Sequence, residues 1–307
     1  MKVGINLPQI GSQATRENII QMARKAEQEG FDSLWVLERL LWPLKPQTPY
    51  PVTPDGSLPV EYQNVFDPLE LLTFVGAQTE KISLGTSVID MLFHNPVILA
   101  RRFATLDVLS QGRVICGFGI GWSKDEYQVA NVPFEQKGAR ADEFIQTLKR
   151  IWTDDVVEFN GKFYKIPSSK IGPKPAQKPH PPIYLGGFTP KTFSRIAKYA
   201  NGWLGVVFGP LEYLDNSVKM LKDEAKRAGR DPNEVKIIVL TSPQVRDSGI
   251  KGERFPMTGT SEEVGSDLQR MKEMGVDHVI FGYNFSPEGR DIGRVIDISK
   301  QLAKFAR

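Results

Sequence analysis

Apolar positions along the chain alternate between two patterns. Val3–Pro8, Ser33–Leu37, Ile82–Val88 and Arg113–Phe118 are short and apolar at most positions. That suits parallel strands buried on both faces. Between them, longer segments carry apolar residues at helical spacing. Thr15–Gly30 has Ile19, Ile20, Met22, Ala23 and Ala26 on one face, with Thr15 as N-cap and Gly30 as stop. Asp67–Thr79, Pro96–Leu109 and Ala139–Trp152 are the next three predicted helices, the first of them opening on Asp67-Pro68. The second half repeats the scheme. Ile183–Leu185, Gly202–Val207, Val235–Val245 and Val276–Phe281 are the predicted strands, and Pro190–Ala200, Leu211–Ala228, Ser261–Met274 and Asp291–Phe305 the helices.

Eight strand–helix units in one run predict an α/β fold, a closed (β/α)8 TIM barrel, in preference to an open doubly wound sheet. The expected organisation is one domain over residues 1–307. Two insertions interrupt the rhythm. Glu38–Phe66, after the second strand, carries Pro43, Pro46, Pro49, Pro51, Pro54 and Pro59 and cannot be a helix. A loop of that length reads as a lid bordering a pocket, with Trp42 and Tyr50 as walls. Asp155–Pro182, before the fifth strand, starts as a hairpin around Asn160-Gly161 and continues as a proline-rich crossing.

Composition narrows the function classes. The charge is 39 Lys+Arg minus 36 Asp+Glu, or +3, across 307 residues, too balanced to point to nucleic acid or a membrane surface. A 40% hydrophobic and 24% charged mix excludes disorder. The N-terminal MKVGINLPQI has no continuous apolar core and reads as a strand, so the expected location is the cytoplasm. Cys116 is the only cysteine, and His94, His180 and His278 are scattered, so no metal site is expected. Cys116 sits mid-strand and reads as a core residue.

The glycines carry more chemistry. Gly117, Gly119 and Gly121 end the fourth strand, and Trp122 stands where a dinucleotide fingerprint needs its third glycine. Either they only let the rim turn, or they let backbone approach a flat ligand with Trp122 as one wall. Gly186-Gly187-Phe188-Thr189-Pro190 follows the fifth strand, with Thr189 as N-cap and Pro190 as the first helical residue. This is either an ordinary capped helix or an anion site facing the barrel mouth, to which Lys191 and Thr192 could add donors. Glu38 and Arg39 end the second strand, and Ser87, Val88 and Asp90 the third. Polar residues at these strand ends are functional candidates in a barrel.

Taken in order, LGTSV (84–88), His94-Asn95-Pro96, ATLDVLSQGR (104–113), Gly117–Trp122, 133–152, FNGKFY (159–164), PPIYLGG (181–187) and Asn201-Gly202-Trp203 resemble the bacterial luciferase-like superfamily of flavin and deazaflavin oxidoreductases. The resemblance covers nearly the whole chain and is nearest to the branch that uses coenzyme F420. It implies that Glu38, Ser87, Val88 and the Gly119–Trp122 turn lie along the cofactor ring, with Gly119, Gly121 and Trp122 as contacts; Asp90, at the same strand end as Ser87 and Val88, is read as a further cofactor-binding candidate. It implies that Gly186, Gly187, Phe188 and Thr189 hold the phosphate, and that the Ser87–Val88 peptide is cis. Relatives that oxidise a sugar phosphate carry Asp-His at the end of strand two and Glu after the strand-four glycines. Here Glu38-Arg39 and Trp122 stand there, which argues against that substrate and leaves Glu38 and Arg39 as the catalytic candidates.

The implied activity is hydride transfer between F420 and an unidentified small organic substrate. The alternatives are an FMN-dependent monooxygenase using O2 and a flavin-binding barrel without turnover. The expected partners are the substrate and a second copy of the chain, as a homodimer.

Overall fold

The computed structural model describes residues 1–250 and 252–307. Eight parallel strands close on themselves: β1 (Lys2–Asn6), β2 (Ser33–Val36), β3 (Ser83–Thr86), β4 (Val114–Gly119), β5 (Ile183–Gly186), β6 (Gly202–Val206), β7 (Lys236–Thr241) and β8 (His278–Phe281). Each strand pairs with the next, and β1 pairs with both β2 and β8, which closes the (β/α)8 barrel. The helices are α1 (Arg16–Gln28), α2 (Pro68–Gly76), α3 (Pro96–Leu109), the short α4 (Lys124–Val129), α5 (Lys137–Thr153), α6 (Pro190–Tyr199), α7 (Leu211–Arg227), α8 (Ser261–Glu273) and α9 (Ile292–Ala306). Among the described residues, none of them is long and apolar enough to cross a membrane.

Two cores explain why the strands are apolar on both faces. Val3, Ile5, Leu34, Leu84, Phe118 and Trp203 point outward under the helices. Trp35, Leu204, Ile238 and Ile280 point inward and fill the barrel. Trp35 fits only because Gly85 and Gly4 beside it have no side chains. A Cβ on Gly85 would lie 2.4 Å from the indole. Below Trp35, its Nε1–H donates to Ser33 Oγ at 2.6 Å, and Ser33 Oγ lies 2.8 Å from His278 Nε2. Burial pulls the His278 imidazole down to about 4.

The register between β3 and β4 changes near the mouth. Leu84 pairs with Val114 and Gly85 with Ile115, but beyond the strand Ile89 pairs with Phe118 and Asp90 with Gly119. One extra residue has entered on the β3 side, the signature of a bulge. Thr86 Oγ1 fills the break. It donates to the Gly117 carbonyl at 2.8 Å and accepts the Gly117 N–H at 2.9 Å.

Three expectations need correction. The seventh strand ends at Thr241, because Pro243 supplies no N–H to a ladder. Gln244–Val245 instead pairs with Thr258–Gly259. The hairpin has no two-residue turn at Asn160-Gly161: Asn160 pairs with Lys165 across a longer loop. The Glu143 carboxylate of α5 organises that loop by accepting the N–H groups of Lys162, Phe163 and Tyr164. Helix α2 stops at Gly76, short of the predicted Thr79. The short α4 was not anticipated.

Candidate active site

A cavity of about 390 Å³ opens at the C-terminal ends of the barrel strands. Of the expected residues, Glu38, Arg39, Ser87, Val88, Asp90, Trp122, Gly186, Gly187 and Phe188 line it together. Its floor is apolar: Val88, Leu204 and Leu240 sit on the side chains that fill the barrel. The 38–66 segment contributes Tyr50, Pro51, Val52 and Tyr62 to the wall. Trp42 is not on the wall; its Nε1–H donates to the Leu58 carbonyl.

Gly119, Gly121 and Thr189 are not on the wall either, and each has a different task. Gly119 lies directly beneath Asp90: a Cβ there would be 2.2 Å from Asp90 Oδ1. Gly121 takes φ +71°, and its N–H donates to Asp90 Oδ1 at 2.9 Å. Thr189 caps α6 by accepting the Thr192 N–H at 3.2 Å. Arg39 and Glu38 start their segment as buried partners of residues that are distant in sequence. Arg39 Nη1 reaches Glu126 Oε2 at 2.6 Å, and the Leu40 N–H donates to Glu126 Oε1 at 2.9 Å. Glu38 Oε1 lies 2.7 Å from His94 Nε2, while Glu38 Oε2 accepts the Asp90 N–H at 2.9 Å. The Arg39 guanidinium also lies over the rings of Tyr62 and Trp122.

Three carboxyl groups therefore crowd one end of the cavity. Removal from water pushes Asp90 up to about 7, helped by neighbouring Glu38 and Glu126. Burial also raises Glu126, against the pull of Arg39. The Ser87–Val88 peptide is cis, as the resemblance implied.

The opposite end has the reverse polarity. Trp203 Nε1–H donates to the Gly187 carbonyl at 2.9 Å. Gly187 takes φ +121°, which favours glycine. The main-chain N–H groups of Gly187, Phe188 and Thr189 make no hydrogen bond among the described residues. They sit at the positive end of α6. Between the two ends, Asn6 Oδ1, Ser87 Oγ and Asn284 Nδ2, all on cavity-lining residues, are buried polar atoms without a partner among the described residues. Unpaired groups like these are costly unless a ligand or water meets them.

Sequence reasoning missed Asn6, Tyr62, His94, Glu126 and Asn284 as site residues. His94 stood in a quoted motif but was weighed only as a metal ligand. Glu126 was hidden by its neighbourhood: Ser123 three residues earlier accepts its N–H, so the stretch reads as a helix cap.

The family described as luciferase-like monooxygenase matches residues 1–249. An uncharacterised protein of Mycobacterium tuberculosis is 35% identical over 263 residues, 85% of each chain. An F420-dependent glucose-6-phosphate dehydrogenase of Amycolatopsis mediterranei is 26% identical over 280 residues, 85% of this chain and 78% of that one. Among solved structures, an F420-dependent secondary alcohol dehydrogenase in complex with an F420-acetone adduct superposes with a TM-score of 0.79. Its identity is 21%, over 100% of this chain and 99% of that one.

Proposed function

Because this chain belongs to the luciferase-like monooxygenase family, we propose that it is an oxidoreductase that moves a hydride between coenzyme F420 and an organic substrate held in the mouth cavity. The observation that carries this reading is the polarity of the cavity. An apolar floor runs from three free N–H groups at a helix N-terminus to a cluster of acids, with unpaired polar atoms between them. A flat ring with a phosphate at one end fits that gradient. The choice of the deazaflavin rests on the relatives named as F420-dependent.

In this reading Gly187 and Phe188 on the cavity wall, and Thr189 just beyond it, hold the phosphate through their N–H groups. Val88, Leu204 and Leu240 back the ring, and Asn6, Ser87 and Asn284 pair with its polar edge. Gly119 and Gly121 act one step away, by seating Asp90. When bound, a deazaflavin supplies a carbon that takes or gives hydride and activates oxygen poorly, whereas FMN in the same seat would favour O2 chemistry.

The protein's own work is to orient the substrate, exclude water and move a proton. Tyr50, Tyr62 and Trp122 form the substrate wall. Glu38, as the carboxylate, takes the proton of a substrate hydroxyl as its carbon is oxidised, and the Nε2–H of His94, whose side chain is 17% exposed, donates to Glu38 and holds it in place. Arg39 serves as a positioning residue, since its charge is bound to Glu126. With that charge cancelled and no lysine among the described lining residues, the cavity suits an uncharged substrate better than a sugar phosphate.

Fluorescence titration of the purified protein with F420, FMN and NADPH tests the cofactor. F420 should bind more tightly than FMN, and NADPH should not be held tightly. A clear preference for FMN would replace this reading with an O2-using monooxygenase. Failure to bind either flavin would end both readings.

A further inference from the structure

We propose that Asp90 keeps its proton when the cavity binds its cofactor and donates it as a hydrogen bond to an acceptor on the bound ring. The proposal rests on the cofactor reading above and assigns one residue a protonation state and a direction of hydrogen bonding.

The argument starts from what surrounds the side chain. Asp90 lines the cavity just past the β3 bulge. Its Oδ1 accepts the Gly121 N–H at 2.9 Å, and no protein donor reaches its second oxygen among the described residues. The cavity is where that oxygen finds a partner. The missing side chain at Gly119 leaves the carboxyl room to lie flat on β4.

The charged neighbours favour the neutral acid. From the end of β2, Glu38 accepts Asp90's own N–H, and its other oxygen meets His94. Arg39, also from β2, is bound to Glu126 of α4. Tyr127 of α4 donates its hydroxyl to the Ile120 carbonyl. Lys137, at the start of α5, donates to the Gly121 carbonyl at 3.0 Å, in the peptide that follows the one whose N–H holds Asp90. Among the described residues no cation touches Asp90, and two carboxylates stand close by. An ionised Asp90 would face charges of its own sign in a site removed from water, whereas a neutral one has an O–H to offer. Burial and these neighbours lift the group to about 7, so the donor form dominates just below neutrality. Flavins and deazaflavins both present ring carbonyls as acceptors.

The test is equilibrium binding of F420, and separately of FMN, to wild type and Asp90→Asn between pH 5.5 and 8.5. The amide of the variant can accept from Gly121 and still donate into the cavity at every pH. The ratio of wild-type to variant affinity cancels the ligand's own titrations. It should be near constant at low pH and fall by up to roughly thirtyfold between pH 6 and 8.5. Calorimetry on wild type alone, in buffers of different ionisation enthalpy, gives a second reading: at pH 8 binding should take up close to one proton, and at pH 5.5 none. A ratio that does not change with pH, or binding at pH 8 without proton uptake, overturns the proposal. So does a ratio that rises with pH, which would make Asp90 an ionised acceptor. A protein that binds neither ligand at any pH removes the cofactor reading itself and this proposal with it.

Discussion

Gly119 shows how strictly one position can be set by its neighbour. Any side chain there would collide with Asp90 Oδ1 at 2.2 Å and with Val88 Cγ2 at 2.8 Å. Asp90 is held by the ladder between the β3 extension and β4 and by the Gly121 N–H, so it cannot easily give way. Gly119→Ala should therefore cost about 1–3 kcal/mol of stability. It should also weaken F420 binding by moving Asp90, although residue 119 is not itself on the cavity wall. Denaturant unfolding and a binding titration on one sample check both effects. Unchanged affinity would mean that Asp90 is not held by this contact.

The 38–66 segment is clipped to α4 at several points. Arg39 and the Leu40 N–H share the Glu126 carboxylate. Gln47 bonds Asp125 and Gln128, and the Lys124 N–H donates to Thr48 Oγ1. Removing Glu126 leaves the Arg39 charge buried without a partner, so Glu126→Ala should destabilise by about 3–5 kcal/mol. The segment should then be cut first in limited proteolysis. If cleavage starts elsewhere at the wild-type rate, this clip does not hold the segment. Helix α4 also marks the limit of what the sequence made legible. Helix α3 was placed to the residue because Asn95 caps it, Pro96 opens it and its apolar spacing is regular. Six residues of α4 are too few to show a period. The partners Arg39 and Glu126, like Glu38 and His94, are brought together by barrel closure, which local spacing does not encode. The glycine turn after β5 was legible because its cap chemistry is local, and the free N–H groups follow from the same few residues.

On the scale of the whole barrel, the two ends respond oppositely to pH. At the bottom, His278 of β8 is buried neutral against Ser33 of β2, with β1 between them. Its folded value of about 4 lies below the 6.5 of an ordinary imidazole. Its contribution to stability is thus present above the unfolded value and is lost as pH falls through the folded one. Thermal unfolding should show wild type losing more stability between pH 7 and pH 4 than His278→Gln, which has no proton to gain. Equal losses would place the acid sensitivity elsewhere. At the mouth, the extra residue near Thr86 decides which atoms the cavity sees. Below it, Ser83 and Gly85 share the inner side of β3 at odd positions; above it, Val88 and Asp90 line the cavity at even ones, while Ile89 is buried in the outer core. Had the strand run on without the bulge, its odd positions would have stayed inside, turning an isoleucine into the mouth and a carboxyl into the oil beneath the helices. A single deleted codon, by contrast, would absorb the bulge and leave Val88 and Asp90 facing the mouth from an unbroken pleat.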